Sequence, residues 1–89
     1  MCRNIKTLFN FDPPASEEEI HEASLQFIRK LSGFTQPSQM NEAAFNQAIE
    51  QVATTSQILL QSLQTAAKPR DRQVEAERAR MRAAKRFGN

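Results

Sequence analysis

Glycine and proline divide this chain into long uninterrupted segments, and this division constrains the fold more than any other feature. The sequence holds only two glycines and four prolines, at positions 13, 14, 33, 37, 69 and 88. The segments between them are rich in Ala, Glu, Gln, Leu and Arg, residue types that favour helices. A fold of many short strands would need turn residues at closer intervals. The spacing therefore predicts an all-α protein.

Size and composition bound the class of protein. The chain has 89 residues, of which 39% are hydrophobic and 25% are charged, values that are ordinary for one globular domain. No stretch approaches the roughly 20 apolar residues of a membrane-spanning helix, so we expect no membrane association. The N-terminus lacks the apolar core of a signal peptide. A single cysteine cannot form an internal disulfide, which favours the reducing cytoplasm.

The first helix is predicted over residues 17–32. Ser16, with Glu19 three residues later, has the pattern of a capping box, in which each side chain bonds the other residue's backbone amide. Gly33 supplies the left-handed residue that ends such a helix. The residues spaced for one continuous buried face are Ile20, Ala23, Ser24, Phe27, Ile28 and Leu31.

The second helix is predicted over residues 39–66, with Ser38 or Asn41 as its N-cap, because no breaker appears before Pro69. One set of its residues recurs at alternating steps of four and three, the seam of a helix that packs along a partner. This seam consists of Phe45, Ile49, Val52, Ser56, Leu59, Leu63 and Ala66. A short loop makes the two helices an antiparallel hairpin.

The second helix is predicted to extend past the first. At 1.5 Å per residue it reaches about 40 Å, against about 24 Å for the first helix. Leu59, Leu60 and Leu63 would then lie beyond the first helix and need another cover. We expect the N-terminal segment, which fits either a short helical turn or an extended strand-like segment, to brace them. Its apolar residues are Ile5, Leu8, Phe9 and Phe11. A second subunit is the alternative cover.

The C-terminal part of the chain is basic. Residues 1–66 carry four Lys or Arg against seven Asp or Glu, a net charge of −3, whereas residues 67–89 carry eight against three, a net charge of +5. We predict a helical domain over residues 1–67 and a basic, partly mobile helical tail over residues 68–89. Four basic residues share one arc of the tail helix and are candidates for contact with a partner or with phosphates: Arg78, Arg82, Lys85 and Arg86.

No set of residues has the spacing of a catalytic, metal or cofactor site, so we expect no catalytic residue, no metal and no cofactor. Cys2 would combine a thiol with a free α-amine if Met1 were removed, which suits nucleophilic catalysis, but a small residue at a chain end is the simpler interpretation. His21 lies off the apolar face and fits a surface residue better than a general base. One cysteine and one histidine are too few for a closed zinc site.

Five segments carry a resemblance: Met1-Cys2-Arg3-Asn4-Ile5-Lys6, Pro13-Pro14-Ala15, Arg29-Lys30-Leu31-Ser32-Gly33, Asn41-Glu42-Ala43-Ala44-Phe45 and Pro69-Arg70-Asp71-Arg72. In these segments the chain resembles a family of short, uncharacterised bacterial proteins, a domain of unknown function. The resemblance covers nearly the whole chain and implies no activity.

A second resemblance lies within residues 8–31, centred on Pro14-Ala15-Ser16-Glu17-Glu18-Glu19-Ile20. This segment is similar to the start of the J-domain of Hsp70 co-chaperones, in which a short helix and a capped second helix precede a loop and a long third helix. J-domains act through a His-Pro-Asp loop, whereas the loop here reads Ser32-Gly33-Phe34-Thr35-Gln36-Pro37-Ser38. The resemblance therefore implies a helical hairpin and not co-chaperone activity.

The sequence thus predicts a small helical protein-interaction module, whose basic tail docks on a protein partner or on a second copy of the chain. The alternative is a nucleic-acid-associated protein that binds phosphates through the basic C-terminal helix. An enzyme that uses Cys2 or His21 is a third interpretation.

Overall fold

Three α-helices and one pair of two-residue strands make up the part of the chain that the computed structural model describes, residues 5–87, with side chains described up to residue 85. The elements in chain order are β1 (Phe11–Asp12), α1 (Glu17–Ser32), a 3-10 turn (Gln39–Asn41), α2 (Glu42–Ser62), β2 (Arg70–Asp71) and α3 (Arg72–Phe87). The prediction of an all-α fold built on a helical hairpin is confirmed. None of the helices in the described range is long and apolar enough to cross a membrane.

Helix α1 begins and ends as its sequence predicts. The Ser16 hydroxyl accepts a hydrogen bond from the Glu19 amide at 3.1 Å, and Glu19 Oε1 accepts one from the Ser16 amide at 3.0 Å, which completes the capping box. At the other end Gly33 adopts φ +80°, and its amide donates to the Arg29 carbonyl at 2.9 Å. A left-handed residue is needed here because it turns the chain off the helix axis while it satisfies a terminal carbonyl.

Helix α2 is shorter than predicted at both ends. The 3-10 turn precedes it, and neither Ser38 nor Asn41 caps it through a side chain. The helix ends at Ser62, four residues before the predicted end, where Leu63 is extended and donates its amide to the Leu59 carbonyl. Beyond this point the Thr65 hydroxyl accepts from the Ala67 amide at 3.0 Å, a local bond that competes with helical pairing.

Antiparallel packing of α1 on α2 gives the hairpin its core. Ile28, Phe45 and Ile49 form the buried cluster, with Leu25, Ala48 and Val52 half-buried around it. Ile20 and Ser24 extend the buried face toward the start of α1, and the Ser24 hydroxyl donates to the Ile20 carbonyl at 2.8 Å. The predicted face is not buried throughout, however, because Phe27 and Leu31 are exposed. Leu31 lies at the end of α1, next to the loop that connects it to α2, and α2 begins only at Glu42. We call this the closed end of the hairpin and the opposite end, where α1 begins and α2 ends, the open end.

The two strands join the N-terminal segment to residues 68–72, which we call the root of the tail. β1 pairs with β2 in parallel, with Phe11 opposite Arg70 and Asp12 opposite Asp71. The Arg70 amide donates to the Asn10 carbonyl at 2.8 Å, and Asn10 Nδ2 donates to the Lys68 carbonyl at 3.3 Å. Residues 5–10 contain no helix. Neither the short helical turn considered for this segment nor the short first helix of the J-domain pattern is present in the described residues.

Candidate functional site

An apolar groove lies at the open end of the hairpin, where α1 begins and α2 ends. It has a volume of about 390 Å³ and is bounded by the N-terminal segment, α1 and α2. Aliphatic and aromatic side chains form most of its wall, namely Ile5, Leu8, Ile20, Phe27, Val52, Leu59 and Leu60. A concave surface of this composition favours apolar groups.

The groove exists because α1 covers the first half of the α2 seam and not the second half. Ile49, in the hairpin core, is only 4% exposed, whereas Leu59, ten residues further along the same seam, is 54% exposed and Leu63 is 43% exposed. The N-terminal segment supplies part of the predicted cover, since Ile5 and Leu8 share the groove with Leu59. The brace is therefore present but incomplete, and it leaves the end of the seam open to solvent.

Ile58 belongs to the same exposed end, and sequence reasoning did not single it out. It lies one residue before Leu59, off the predicted seam, and is 58% exposed. The signal that could have found it is the absence of charge: residues 51–67 contain no Asp, Glu, Lys, Arg or His. An uncharged stretch with exposed aliphatic side chains differs from the rest of this chain and is typical of an interface core.

Arg72 anchors the root of the tail to the hairpin. Its guanidinium donates two hydrogen bonds to the Glu19 carboxylate, at 2.8 and 3.0 Å, and Nε donates to the Pro13 carbonyl at 2.7 Å. The guanidinium carbon also lies 5.3 Å from the centre of the Phe11 ring. We call these four residues the Arg72 clamp. The two hydrogen bonds from Arg72, together with the Ser16 amide, hold the pKa of the Glu19 carboxyl below its ordinary value.

The first turn of α3 is fixed by the residue before it. Asp71 Oδ1 accepts from the amides of Gln73 and Val74, at 2.8 and 3.0 Å. A carboxylate in this position satisfies two orphan amides and opposes the positive end of the helix dipole. The tail helix therefore starts at a defined residue next to the clamp.

Three of the four residues of the predicted basic arc of the tail are on the surface. Arg78, Arg82 and Lys85 line one shallow side of α3 together with Met81, which is 71% exposed. Arg78 Nη1 lies 3.7 Å from the Glu75 carboxylate, an i, i+3 pair of the kind that the sequence indicated. The fourth residue, Arg86, is helical in its backbone, and its side chain lies outside the described side chains.

Of the two residues considered for chemistry, the structure describes only His21. His21 is on the surface of α1, with Nε2 3.8 Å from the Glu50 carboxylate of α2. Cys2 lies outside the described residues. Within residues 5–87, no three His, Cys, Asp or Glu side chains are grouped so that they could hold a metal ion.

Comparison with known proteins gives one match. The model of an uncharacterized conserved protein family, DUF2277, matches residues 1–78. No curated protein and no solved structure matches the chain. The matched range contains every residue of the groove and of the Arg72 clamp, whereas Arg82, Lys85 and Arg86 lie after it.

Proposed function

The chain belongs to the DUF2277 family, and from its own surfaces we propose that it is a small helical protein-interaction module. Its groove, at the open end of the hairpin, receives an apolar segment of a protein partner. The observation that carries this proposal is the exposure of Leu59 at the end of a seam whose first half is buried.

The energetics of the groove support a protein ligand. Complete burial of a leucine side chain contributes about 1.5–3 kcal/mol, and Leu59 and Leu63 are each about half exposed, so a partner that covers both gains about 1.5–3 kcal/mol in total. The walls are largely apolar, and they are held from three directions by α1, α2 and the N-terminal segment. A partly preformed apolar groove of this kind suits one face of an amphipathic helix.

The tail supplies a second contact surface in the same proposal. Val74 and Met81 are exposed seven residues apart on α3, with Arg78 between them, so that one side of the helix offers both apolar and basic groups. A partner with an acidic rim around an apolar centre would complement this side. We place the protein in the bacterial cytoplasm, which the single cysteine supports.

Association with nucleic acid is the second candidate function. The observation that favours it is the exposure of Arg78, Arg82 and Lys85 on one side of α3, where they could follow a line of phosphates. Glu75 and Glu77 reduce the charge of the same helix, with contacts of 3.7 Å to Arg78 and 3.9 Å to Arg80. This balance makes the groove the better supported site.

The two functions are separated by affinity capture from the native cell, with and without nuclease. The bait is the full chain in three forms: unchanged, Leu59→Lys, and Met40→Lys. Met40 is the matched control, because it is 91% exposed and lies in the 3-10 turn away from the groove. We expect a protein that is retained by the unchanged chain and by Met40→Lys, resists nuclease, and is lost with Leu59→Lys.

Capture that is lost on nuclease treatment and insensitive to Leu59→Lys would contradict the groove proposal and support phosphate binding. In that case Arg82→Gln should weaken binding to a duplex of random sequence and reduce the slope of log affinity against log salt by about one.

A further inference from the structure

We infer that the Arg72 clamp is a switch that controls the groove: when Arg72 separates from Glu19, residues 5–9 leave the groove while the hairpin stays folded. Residues 5–9, which we call the N-terminal wall, form the third side of the groove beside α1 and α2. This inference rests on the proposed function, because it describes how the binding of a partner in the groove is regulated.

The N-terminal wall has no polar attachment of its own. Within the described residues, no hydrogen bond or ion pair joins residues 5–9 to the rest of the chain. Lys6 attracts the Glu19 carboxylate, but from more than 4 Å away. Ile5 and Leu8 are half-buried and line the groove with Ala23 and Leu60. Apolar contacts of this kind are non-directional, so they favour the seated position of the wall without fixing it.

The residues that follow the wall are attached to the root of the tail. The Asn10 carbonyl accepts from the Arg70 amide at 2.8 Å, and the Pro13 carbonyl accepts from Arg72 Nε at 2.7 Å. The Phe11 ring lies 5.6 Å and 5.3 Å from the guanidinium carbons of the same two arginines. The root of the tail therefore determines where the wall is held.

Arg72 is the polar link between the root of the tail and the hairpin. In the part of the chain that the structure describes, the only hydrogen bonds or ion pairs from residues 68–87 to residues 16–62 are those of Arg72 with Glu19, at 2.8 and 3.0 Å. Separation of this one pair therefore releases both the root of the tail and the wall that the root holds.

The hairpin does not depend on this pair for its own structure. When Arg72 separates from it, Glu19 still accepts from the Ser16 amide, so the capping box of α1 remains. The buried cluster of the hairpin contains no residue of the wall or of the clamp. A region with few buried contacts opens locally at a lower free energy than the whole domain. The released state is therefore a folded hairpin whose groove has lost one side.

This arrangement couples the two contact surfaces of the proposed function, the groove and the tail. Helix α3 begins at Arg72 itself, so a partner that binds α3 acts directly on the residue that holds the wall. Coupling between two sites is reciprocal. A segment in the groove that contacts Ile5 or Leu8 should stabilise the clamp, and release of the clamp should weaken the binding of that segment.

The test compares three variants of the full chain. Arg72→Ala removes the link. Glu19→Gln weakens it and keeps the cap of α1, because glutamine can replace glutamate in a capping box. Arg70→Ala is the matched control, since Arg70 also lies over the Phe11 ring, and its side chain makes no hydrogen bond to the hairpin within the described residues.

The position of the wall and the state of the hairpin are measured separately by NMR. Nuclear Overhauser effects (NOEs) from the methyl groups of Ile5 and Leu8 to those of Ala23 and Leu60 report the wall. NOEs between the methyl groups of Ile28 and Ile49, which belong to the buried cluster, report the hairpin.

We expect both sets of NOEs in the unchanged chain and in Arg70→Ala. In Arg72→Ala the NOEs of the wall should be lost and those of the hairpin retained, and Glu19→Gln should weaken the NOEs of the wall alone. Absence of the wall NOEs from the unchanged chain, or their retention in Arg72→Ala, would overturn the inference. Loss of both sets together would also overturn it; if Arg72→Ala unfolds, Glu19→Gln decides.

This measurement needs no partner, so its failure is distinguishable from that of the proposed function. If the wall is released as expected and capture of a protein does not depend on Leu59, the release is upheld and the proposed function fails. If capture depends on Leu59 and Arg72→Ala retains the captured protein as well as Arg70→Ala does, the proposed function stands and control by the clamp is refuted. If both hold, Arg72→Ala should weaken binding of the captured protein about tenfold, within the usual range of coupling between two sites.

Discussion

Replacement of Arg72 by alanine should destabilise the protein by about 2.5–3.5 kcal/mol. The side chains of Arg72 and Glu19 are 31% and 28% exposed, so we assign about 1–2 kcal/mol to their paired hydrogen bonds, a value reduced for solvent screening. The hydrogen bond to the Pro13 carbonyl adds about 1 kcal/mol, and the contact with the Phe11 ring adds about 0.5 kcal/mol. For a domain of this size the loss corresponds to a fall in Tm on the order of 10–30 °C.

Arg70→Ala is the matched control for this measurement. Arg70 also lies over the Phe11 ring, at 5.6 Å, and both substitutions remove one positive charge from the root of the tail. We expect a loss of about 0.5 kcal/mol for Arg70→Ala, measured by urea unfolding followed by circular dichroism. A double-mutant cycle of Arg72→Ala with Glu19→Gln isolates the pair, and its coupling should be at least about 1 kcal/mol. The reasoning is refuted if Arg72→Ala and Arg70→Ala destabilise equally.

Three further predictions concern single groups. Because the pKa of Glu19 is lowered in the folded chain, its contribution to stability is complete at neutral pH and is lost as the pH falls from about 4.5 through that lowered pKa. The free energy of unfolding, measured as a function of pH, should show this loss. In the Glu19→Gln variant the free energy of unfolding should depend less on pH over the same range. Gly33→Ala should lower the free energy of unfolding by about 1–2 kcal/mol, measured with urea, because the φ of +80° at this position is strained for alanine. A steric clash is not the cause, since a Cβ here would meet no atom within 4 Å. Asparagine tolerates this conformation better, so a Gly33→Asn variant as destabilised as Gly33→Ala would contradict the explanation by backbone strain. Asp71→Ala should reduce the helical circular dichroism of α3 by removing its cap, at a cost of about 0.5–2 kcal/mol, whereas Asp71→Asn should retain the signal.

The hairpin could be predicted from the sequence because its signals are local. Ser16 and Glu19 are three residues apart, and Gly33 directly follows the helix that it ends. The residues of the seam that begins at Phe45 recur at steps of three or four, about one helical turn. Each signal acts on the backbone of its own neighbourhood, so a single sequence reveals it. The bounds of α1 and the antiparallel arrangement follow from such signals directly.

The Arg72 clamp could not be predicted in this way. Arg72 and Glu19 are 53 residues apart in the chain, and no periodicity relates an arginine at the start of one helix to a glutamate in the cap of another. Glu19 already had a complete local explanation as the third residue of a capping box. Glu19 accepts hydrogen bonds both from the Ser16 amide and from Arg72, and only the first of these two roles is visible in the sequence.

The end of α2 was predicted too far along the chain for a related reason. Helix propensity continues from Ser62 to Ala66, and the sequence shows no breaker there. The chain must reverse within this stretch, however, because Lys68 and Arg70 hydrogen-bond to Asn10. A long-range pairing therefore ends a helix that local preference would continue.

The clamp and the groove are parts of one arrangement. Ile5 and Leu8 can line the groove only if the N-terminal segment is held at the open end of the hairpin, and this segment has little core of its own. The contacts that hold it come from residues 68–72, which pair with residues 10–13 and bond to the first turn of α1. The root of the tail thus fixes one wall of a surface formed by the other end of the chain. The N-terminal segment is short and is anchored at residues 10–13, so it covers only part of the second half of α2. Leu59 and Ile58 therefore remain exposed to solvent.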